Sequence, residues 1–254
     1  MSRADKLALQ HRCLRELARW MGAGSPGARL WEADGVTASI VPAAPQRSVV
    51  NAAVYRSADA LAARYDELAA AFEEAGVRAW TVWVPEFDAD AIGLLTARGH
   101  AFDGKPAAMS IDLDGFEGPP AGDLDWDSDA TLEEFGRVND AAFGFPPSEG
   151  MAPAFAGLPA GADARLYRAR VGGETASVLA TIDHGDDVSI HFVGTEERFR
   201  GRGLASRLLA AALREARGRG MRTSSLQASP MGEPIYLRLG YGLDFRLHLY
   251  ERRS

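Results

Sequence analysis

Two glycines and three arginines crowd one short run, Arg198-Phe199-Arg200-Gly201-Arg202-Gly203. Before it lies a strand-like stretch ending at Val193-Gly194-Thr195, and after it a helix-like one, Leu204-Ala205-Ser206-Arg207-Leu208-Leu209. That is the chemistry of a phosphate cradle. Glycine lets the backbone approach an anion closely. The free N–H groups of a helix's first turn point at the anion, and the helix dipole adds partial positive charge. Guanidinium groups suit phosphate geometry. The run is not a P-loop, because no Gly-Lys-Ser/Thr closes it. Nor is it a dinucleotide fingerprint, because Arg207 stands where the third glycine would be. The bland alternative is an ordinary strand-to-helix turn with a solvated arginine cluster.

Arg200-Gly201-Arg202-Gly203-Leu204-Ala205 resembles motif A of the GCN5-related N-acetyltransferases (GNAT), Arg/Gln-x-x-Gly-x-Gly/Ala. Arg198 with Gly201 and Gly203 gives an overlapping match. The first is preferred, since Ala205-Ser206-x-Leu208-Leu209 then continues as the family's helix does. About 30 residues on, the stretch Leu226 to Tyr241 resembles motif B of the same family, with its Tyr-x-x-x-Gly ending at Tyr236-Leu237-Arg238-Leu239-Gly240-Tyr241. The likeness covers residues 124 to 254 well and residues 1 to 114 weakly. It implies acetyl-coenzyme A in a V-shaped gap between two splayed strands, here Val188 to Thr195 and Thr223 to Ala228. The pantetheine arm would pair near Phe192, Val193 and Thr195. Beside Arg200, the pyrophosphate would sit on the amides of Gly201, Arg202, Gly203, Leu204, Ala205 and Ser206. No metal is implied.

N-acetyl transfer has two proton needs: the amine must be neutral to attack, and the leaving thiolate must gain a proton or be stabilised. Tyr236 matches the family tyrosine that faces the thiol, and a phenol pKa of about 10 lies close enough for donation. The alternative for Tyr236 is a core tyrosine, since Leu95 stands at the matching place of the first half. A backbone N–H near Val193 would stabilise an oxyanion, because the splayed strand leaves it unpaired. For the base, His191 lies on the critical strand with the parity of Val193 and has a suitable pKa. Glu196, Glu197, Asp183 and ordered water are the others. The expected reaction is direct acetyl transfer to the primary amine of a small molecule or peptide. The alternative is a non-catalytic acyl-coenzyme A-binding sensor or scaffold. Phe143, Phe145, Pro146, Pro147 and Phe155 make an apolar acceptor wall or simply anchor a long loop.

Stepping outward, these groups need a scaffold. The 254 residues allow one large domain or two small ones. A net charge of −7 argues against nucleic-acid binding, although Arg198 to Arg222 is locally basic. Cys13 is the only cysteine, so no intrachain disulfide forms. No run approaches the ~20 apolar residues of a membrane span, and no signal-type run opens the chain. The expectation is a cytoplasmic protein, monomer or homodimer, without membrane or nucleic-acid partners.

Helical periodicity marks Arg3 to Met21, Ala58 to Ala75, Ala89 to Arg98, Leu132 to Phe143, the cradle helix to about Arg217, and Glu233 to Leu239. Strand patterns fall at Ala38 to Val41, Ser48 to Tyr55, Ala79 to Val84, Ala107 to Leu113, Arg165 to Val171, Thr175 to Ile182, Val188 to Thr195, Thr223 to Ala228 and Phe245 to Tyr250. Ala75-Gly76-Val77-Arg78 resembles Arg219-Gly220-Met221-Arg222, and Leu94 to His100 resembles Ile235 to Tyr241. The expected fold class is therefore mixed α/β (α+β), as two GNAT-like domains, each a twisted, mainly antiparallel mixed sheet flanked by helices. Residues 1–114 would be a degenerate copy without a cofactor loop, since Asp59 in its helix entry repels a pyrophosphate. Residues 115–123 would be a linker, and residues 124–254 the acetyl-coenzyme A-binding domain.

Overall fold

The computed structural model describes residues 1–146, 149–161 and 163–254. Its first half runs through α1 (Arg3–Gly22), β1 (Arg29–Ala33), β2 (Val36–Ile40), β3 (Ala52–Tyr55), α2 (Ala58–Glu74), β4 (Ala79–Pro85), α3 (Ala89–Ala97), β5 (Ala101–Gly104) and β6 (Ala107–Asp112). The second half runs through β7 (Asp125–Asp127), α4 (Leu132–Phe143), α5 (Ala152–Phe155), β8 (Ala164–Val171), β9 (Glu174–His184), β10 (Asp187–Thr195), α6 (Leu204–Gly218), β11 (Thr223–Ala228), α7 (Glu233–Arg238) and β12 (Gly242–Arg253). The twelve strands among the described residues join one mixed sheet, in the order β1, β2, β3, β4, β12, β6, β11, β10, β9, β8, β7, with β5 also on β12. Among the described strand pairs, β3 with β4 and β10 with β11 are parallel, and the others antiparallel.

The sheet is continuous because the two halves exchange strands. β6, from the first half, lies between β11 and β12, with Met109 opposite Leu226 on one side and Leu243 on the other. β12 is long enough to do two jobs. Its start pairs with β6, and Leu247 to Arg253 pairs with β4 from Pro85 to Ala79, while Leu249 to Glu251 also meets β5. The stretch after β6 then crosses α6, where Arg214 donates to the carbonyls of Glu117 and Pro119, and Arg217 to that of Phe116.

Helices cover both faces. α6 shows Leu208, Leu209, Ala212, Leu213 and Ala216 to β8–β11, the spacing of a single apolar stripe. The opposite face of the same strands packs Val178, Ala180 and Ile182 against Phe135 and Val138 of α4, Phe155 of α5, and Trp20 and Met21 at the end of α1. Strands buried on both faces carry near-continuous apolar and small residues, as β9 does. α1 thus bridges the halves: its Leu14 packs with Trp83 and Phe245, and its buried Gln10 donates to Met109 O at 3.0 Å. Among the described residues, no helix is long and apolar enough to cross a membrane.

Four strands depart from the sequence pattern. β1, β5 and β7 are short and exposed or half-buried, so they carry no buried apolar alternation. β7 is an edge strand of Asp125, Trp126 and Asp127, held where Arg170 and Arg168 of β8 pair with its two carboxylates. The strand expected from Ser48 begins only at Ala52. Asn51 is fully buried, and its side chain accepts from Val41 N and donates to Ala44 O and Arg47 O, which curls residues 41–51 into turns.

Candidate active site

The register of β10 and β11 runs from Asp187 opposite Thr223 to Ile190 opposite Leu226 and stops there. Beyond it the strands part. On the other edge of β10, pairing with β9 skips from His191 to Gly194, and Phe192 takes a positive φ of 51° in that bulge. A bulge adds a residue to one strand and bends it, which turns β10 away from β11. Gly194 lets α4 close over the bend, because a Cβ there would lie 3.2 Å from Ala142 Cβ. Ser177 Oγ holds the bent end, donating to Gly194 O at 3.0 Å and meeting Thr195 Oγ1 at 2.8 Å.

A cleft of about 550 Å3 opens where the strands diverge. Val193, Gly194 and Thr195 form one wall, the turn into α6 another, and Ser229, Gly232, Ile235 and Tyr236 a third. A single 3-10 turn, Glu197–Phe199, leads into the cradle. Gly201 and Gly203 have φ of 77° and 70°, a region that costs other residues about 1–2 kcal/mol. No side chain caps α6, so its first-turn amides face the cleft unpaired by the helix. This end of the cleft is built for an anion.

The structure places the expected cofactor residues unequally. Val193, Thr195, Arg200, Gly201, Gly203, Leu204, Ala205 and Ser206 line the cleft. Phe192 and Arg202 do not. The Phe192 ring points to the opposite face, 5.0 Å from Phe155 and 6.3 Å from Phe135. Arg202 lies exposed with its guanidinium 5.5 Å from the Phe199 ring. The arginine cluster is also less available than its charges suggest. Arg198 is tied to Glu174 and Glu196. Arg200 donates to Thr195 O and Ala142 O at 3.3 and 2.5 Å, so it fastens β10 to the end of α4.

Tyr236 stands at the inner end of the cleft. Burial raises its phenol pKa above the usual value, and among the described residues no hydrogen bond engages its hydroxyl. Its neighbour Tyr241 differs, with its hydroxyl 2.7 Å from Ser224 Oγ. His191 is elsewhere. Its ring is buried, 2.9 Å from Ser189 Oγ, and does not line the cleft. Burial, and then His184, lowers its pKa to about 3. The carboxylates are equally withdrawn. Glu196 accepts from Arg137 and Arg198, and Asp183 from Arg165 and Arg219. Glu197 sits on the exposed turn. Among the described residues, no histidine or carboxylate lines the cleft.

Several lining residues escaped sequence reading. Ala142 reaches the cleft only because α4 ends beside the β10 bulge, and no local signal marks that approach. Ser229 and Gly232 carried a readable one, as the turn residues opening motif B. Of the loop aromatics, Phe143 lines the cleft, whereas Phe145 stacks under Arg47 of the first half, 3.6 Å from its guanidinium. Phe155 is core, and Pro147 lies outside the described residues.

The buried histidines make a pH prediction. His100 contacts Tyr65 Oη and Tyr250 O, each at 2.9 Å, and burial lowers its pKa to about 4. A histidine depressed on folding binds fewer protons folded than unfolded, so stability is lost as pH falls below the unfolded value of about 6.5. His100 and His191 should each cost about 1.4 kcal/mol per pH unit over pH 6.5 to 5. The fully buried Asp187 carboxyl, raised by burial, works in the opposite sense. Imidazole 15N shifts should therefore show both histidines neutral at pH 5. Protonation of either near pH 6.5 would contradict their burial.

Residues 129–231 match a family described as an acetyltransferase (GNAT) domain. No curated protein matches the sequence. Among solved structures, the chain is similar to a GCN5-related N-acetyltransferase from Kribbella flavida, with TM-score 0.66 and 17% identity over 96% of this chain and 95% of that one. It is also similar to a functionally unknown conserved protein from Staphylococcus epidermidis, with TM-score 0.63 and 15% identity over 88% and 93%. A third similar structure is a tandem GNAT protein from the clavulanic acid biosynthesis pathway, with TM-score 0.55 and 14% identity over 90% and 84%. At such identities the likeness is one of fold, and function has to be argued from the site. The matched segment holds α4, the β10–β11 cleft and the cradle, while Tyr236 lies just beyond it.

Proposed function

From the match of residues 129–231 to a family described as an acetyltransferase (GNAT) domain, we propose that the chain acetylates the primary amine of a small molecule or peptide, using acetyl-coenzyme A, by direct attack with both bound. One observation carries this reading: the parted strands, the uncapped start of α6 and a free phenol meet in one cleft. Acetyl-coenzyme A supplies the acyl group as a thioester. The amides from Gly201 to Ser206 hold its pyrophosphate, and the backbone of Val193 and Thr195 holds the pantetheine arm. A backbone N–H at the bulge, near Val193, faces the place where negative charge develops on oxygen. Tyr236 donates its hydroxyl proton toward the leaving sulfur. With no histidine or carboxylate among the described residues lining the cleft, ordered water takes the ammonium proton, and His191 serves packing.

The first half fits a degenerate copy, residues 1–114, joined through residues 115–123 to the cofactor-binding residues 124–254. Each half has a parallel strand pair around a helix, then a short helix and a strand: β3, α2, β4, α3, β5 and β10, α6, β11, α7, β12. At the entry of α2, however, the Ser57 hydroxyl already accepts from Ala60 N, and Asp59 occupies the first turn. A cytoplasmic setting accords with the single buried Cys13, whose thiol burial pushes up to about 12.

Ser206→Glu tests the cofactor site. An acidic residue in a helix's first turn is favourable to the helix, yet here it would face the pyrophosphate. At an effective dielectric near 20, two unit charges about 4 Å apart repel by roughly 4 kcal/mol. Calorimetry should show one acetyl-coenzyme A per chain, weakened at least tenfold in the variant with unchanged thermal stability. Equal binding by both proteins would remove the cofactor from this cleft. Tight binding without thiol release across a broad amine panel would leave an acyl-coenzyme A-binding sensor instead of an enzyme.

A further inference from the structure

Tyr236 is buried, and no hydrogen bond among the described residues fixes the direction of its phenol, so packing against the ring has to. Direction matters for a proton donor. A misplacement of about 1 Å can cost on the order of 10²-fold in rate. The element that carries the ring is also a weak one. α7 has six residues, too few for a helix to be stable alone.

The chain holds α7 at both ends. Gly232 N donates to Ser229 O at 3.0 Å and to Ser229 Oγ at 3.2 Å. Pro234 fixes a φ in the first turn. Arg246 of β12 donates to both Glu233 carboxylate oxygens, at 2.7 and 2.8 Å. Past the last turn, Tyr241 N donates back to Tyr236 O at 3.1 Å.

Two contacts then hold the ring itself. The Tyr241 ring packs against it at 70°, with centroids 5.8 Å apart. Tyr241 is in turn anchored. Ser224 Oγ donates to Val188 O at 2.8 Å, and a hydroxyl has one proton. The Tyr241 hydroxyl is therefore the donor in its 2.7 Å contact with Ser224 Oγ. Val188 and Ser224 stand opposite each other in the paired part of β10 and β11. The Tyr236 ring is thus tied to the root of the two strands whose parting opens the cleft. The second contact is Gly232, where a Cβ would lie 3.1 Å from Cε2 of the ring. Gly232 has φ of −83° and ψ of −30°, a helical conformation that alanine adopts freely. The backbone does not call for glycine here, but the ring does.

We infer, on the footing that Tyr236 gives its proton to the leaving sulfur, that Gly232 and the Ser224–Tyr241 pair are positioning residues that aim its phenol at that sulfur. An alanine methyl at residue 232 would push the ring by a few tenths of an ångström. Losing the Tyr241 hydroxyl would free the neighbouring ring from Ser224.

The test compares the wild type with Gly232→Ala, Tyr241→Phe and Tyr236→Phe in the full chain. Tyrosines labelled with 13C at the ζ carbon are titrated with coenzyme A, and Tyr236→Phe assigns the Tyr236 signal. Thiol release from acetyl-coenzyme A is followed with the best primary amine of the panel. Coenzyme A should shift the Tyr236 signal in the wild type. In Gly232→Ala and Tyr241→Phe that shift should fall by half or more, with coenzyme A affinity within threefold and, for Gly232→Ala, unchanged thermal stability. On the scale of misplacement above, kcat should fall about fivefold in Gly232→Ala and about threefold in Tyr241→Phe. In the Tyr236→Phe background Gly232→Ala should cost nothing further, since no hydroxyl is left to aim. Losses that add in the double variant would overturn the inference and leave Tyr236 as the donor. So would a normal kcat and an unchanged Tyr236 shift in both positioning variants. Weakened coenzyme A binding at normal kcat in Gly232→Ala would give that glycine to the pantetheine arm instead. Tyr236→Phe with normal kcat, or a wild-type Tyr236 signal that coenzyme A does not move, would remove the proton donor itself and the inference with it.

Discussion

Tyr236→Phe should lower kcat about 100-fold and leave the acetyl-coenzyme A affinity within threefold. General acid catalysis contributes about 10²–10⁴-fold. The lower end applies here, because burial raises the phenol pKa above its usual value and makes it a weaker acid. The same shift keeps the group protonated at neutral and moderately alkaline pH. The rate should therefore not fall between pH 7 and 9 through loss of this proton. It should rise instead with the fraction of neutral amine, since among the described residues no histidine or carboxylate lines the cleft to take that proton. Stability separates catalysis from packing. No hydrogen bond within the described residues engages the Tyr236 hydroxyl, so removing the oxygen leaves no protein group unpaired. A variant with normal kcat would return Tyr236 to the core, where Leu95, at the matching place in the first half, already lies fully buried.

How much of this site was legible in the sequence follows from the range of the interactions that build it. The cradle was readable because glycine at positive φ and an uncapped helix start are local facts, written in Gly201, Gly203 and Leu204. The parallel pair β10–β11 was readable from its strand patterns and the helix between them. The reach of each side chain was not. Arg198, Arg200 and Arg202 are identical in type, yet partners far along the chain separate their roles: Glu174 holds the first, Ala142 O the second, and the third is left against a ring. His191 has the parity of Val193 along the strand. The bulge at Phe192 breaks that parity, and the imidazole stays buried away from the cleft. Bulges of this kind carry no consistent residue signal. The same limit hides the docking of α1, whose Gln10 and Cys13 meet Gln227 across more than half the chain.

The strand exchange was invisible for the same reason, and it carries the largest expected effect. The two halves read as separate sequence units joined by a Gly- and Pro-rich stretch, which suggests that residues 115–254 might be cut free. The register says they should not fold alone. Removing residues 1–114 takes β6 from between β11 and β12, exposing the whole Thr223–Ala228 edge and splitting β12 from its own half. Met109, fully buried in the core of that half, would vanish with it. Deleting one such side chain costs about 2–5 kcal/mol, and whole domains are stable by about 5–15 kcal/mol, so losing a central strand exceeds what the half can bear. Residues 115–254 expressed alone should show no cooperative thermal transition. Co-expressed with residues 1–114, they should assemble one to one, because each piece carries the strand the other lacks, β6 for one and the end of β12 for the other. The reassembled pair should bind acetyl-coenzyme A as the intact chain does. Cooperative folding and cofactor binding by residues 115–254 alone would show that the exchanged strand is dispensable. The first half would then be an accessory. As the register stands, it completes the sheet on which the β10–β11 cleft is built.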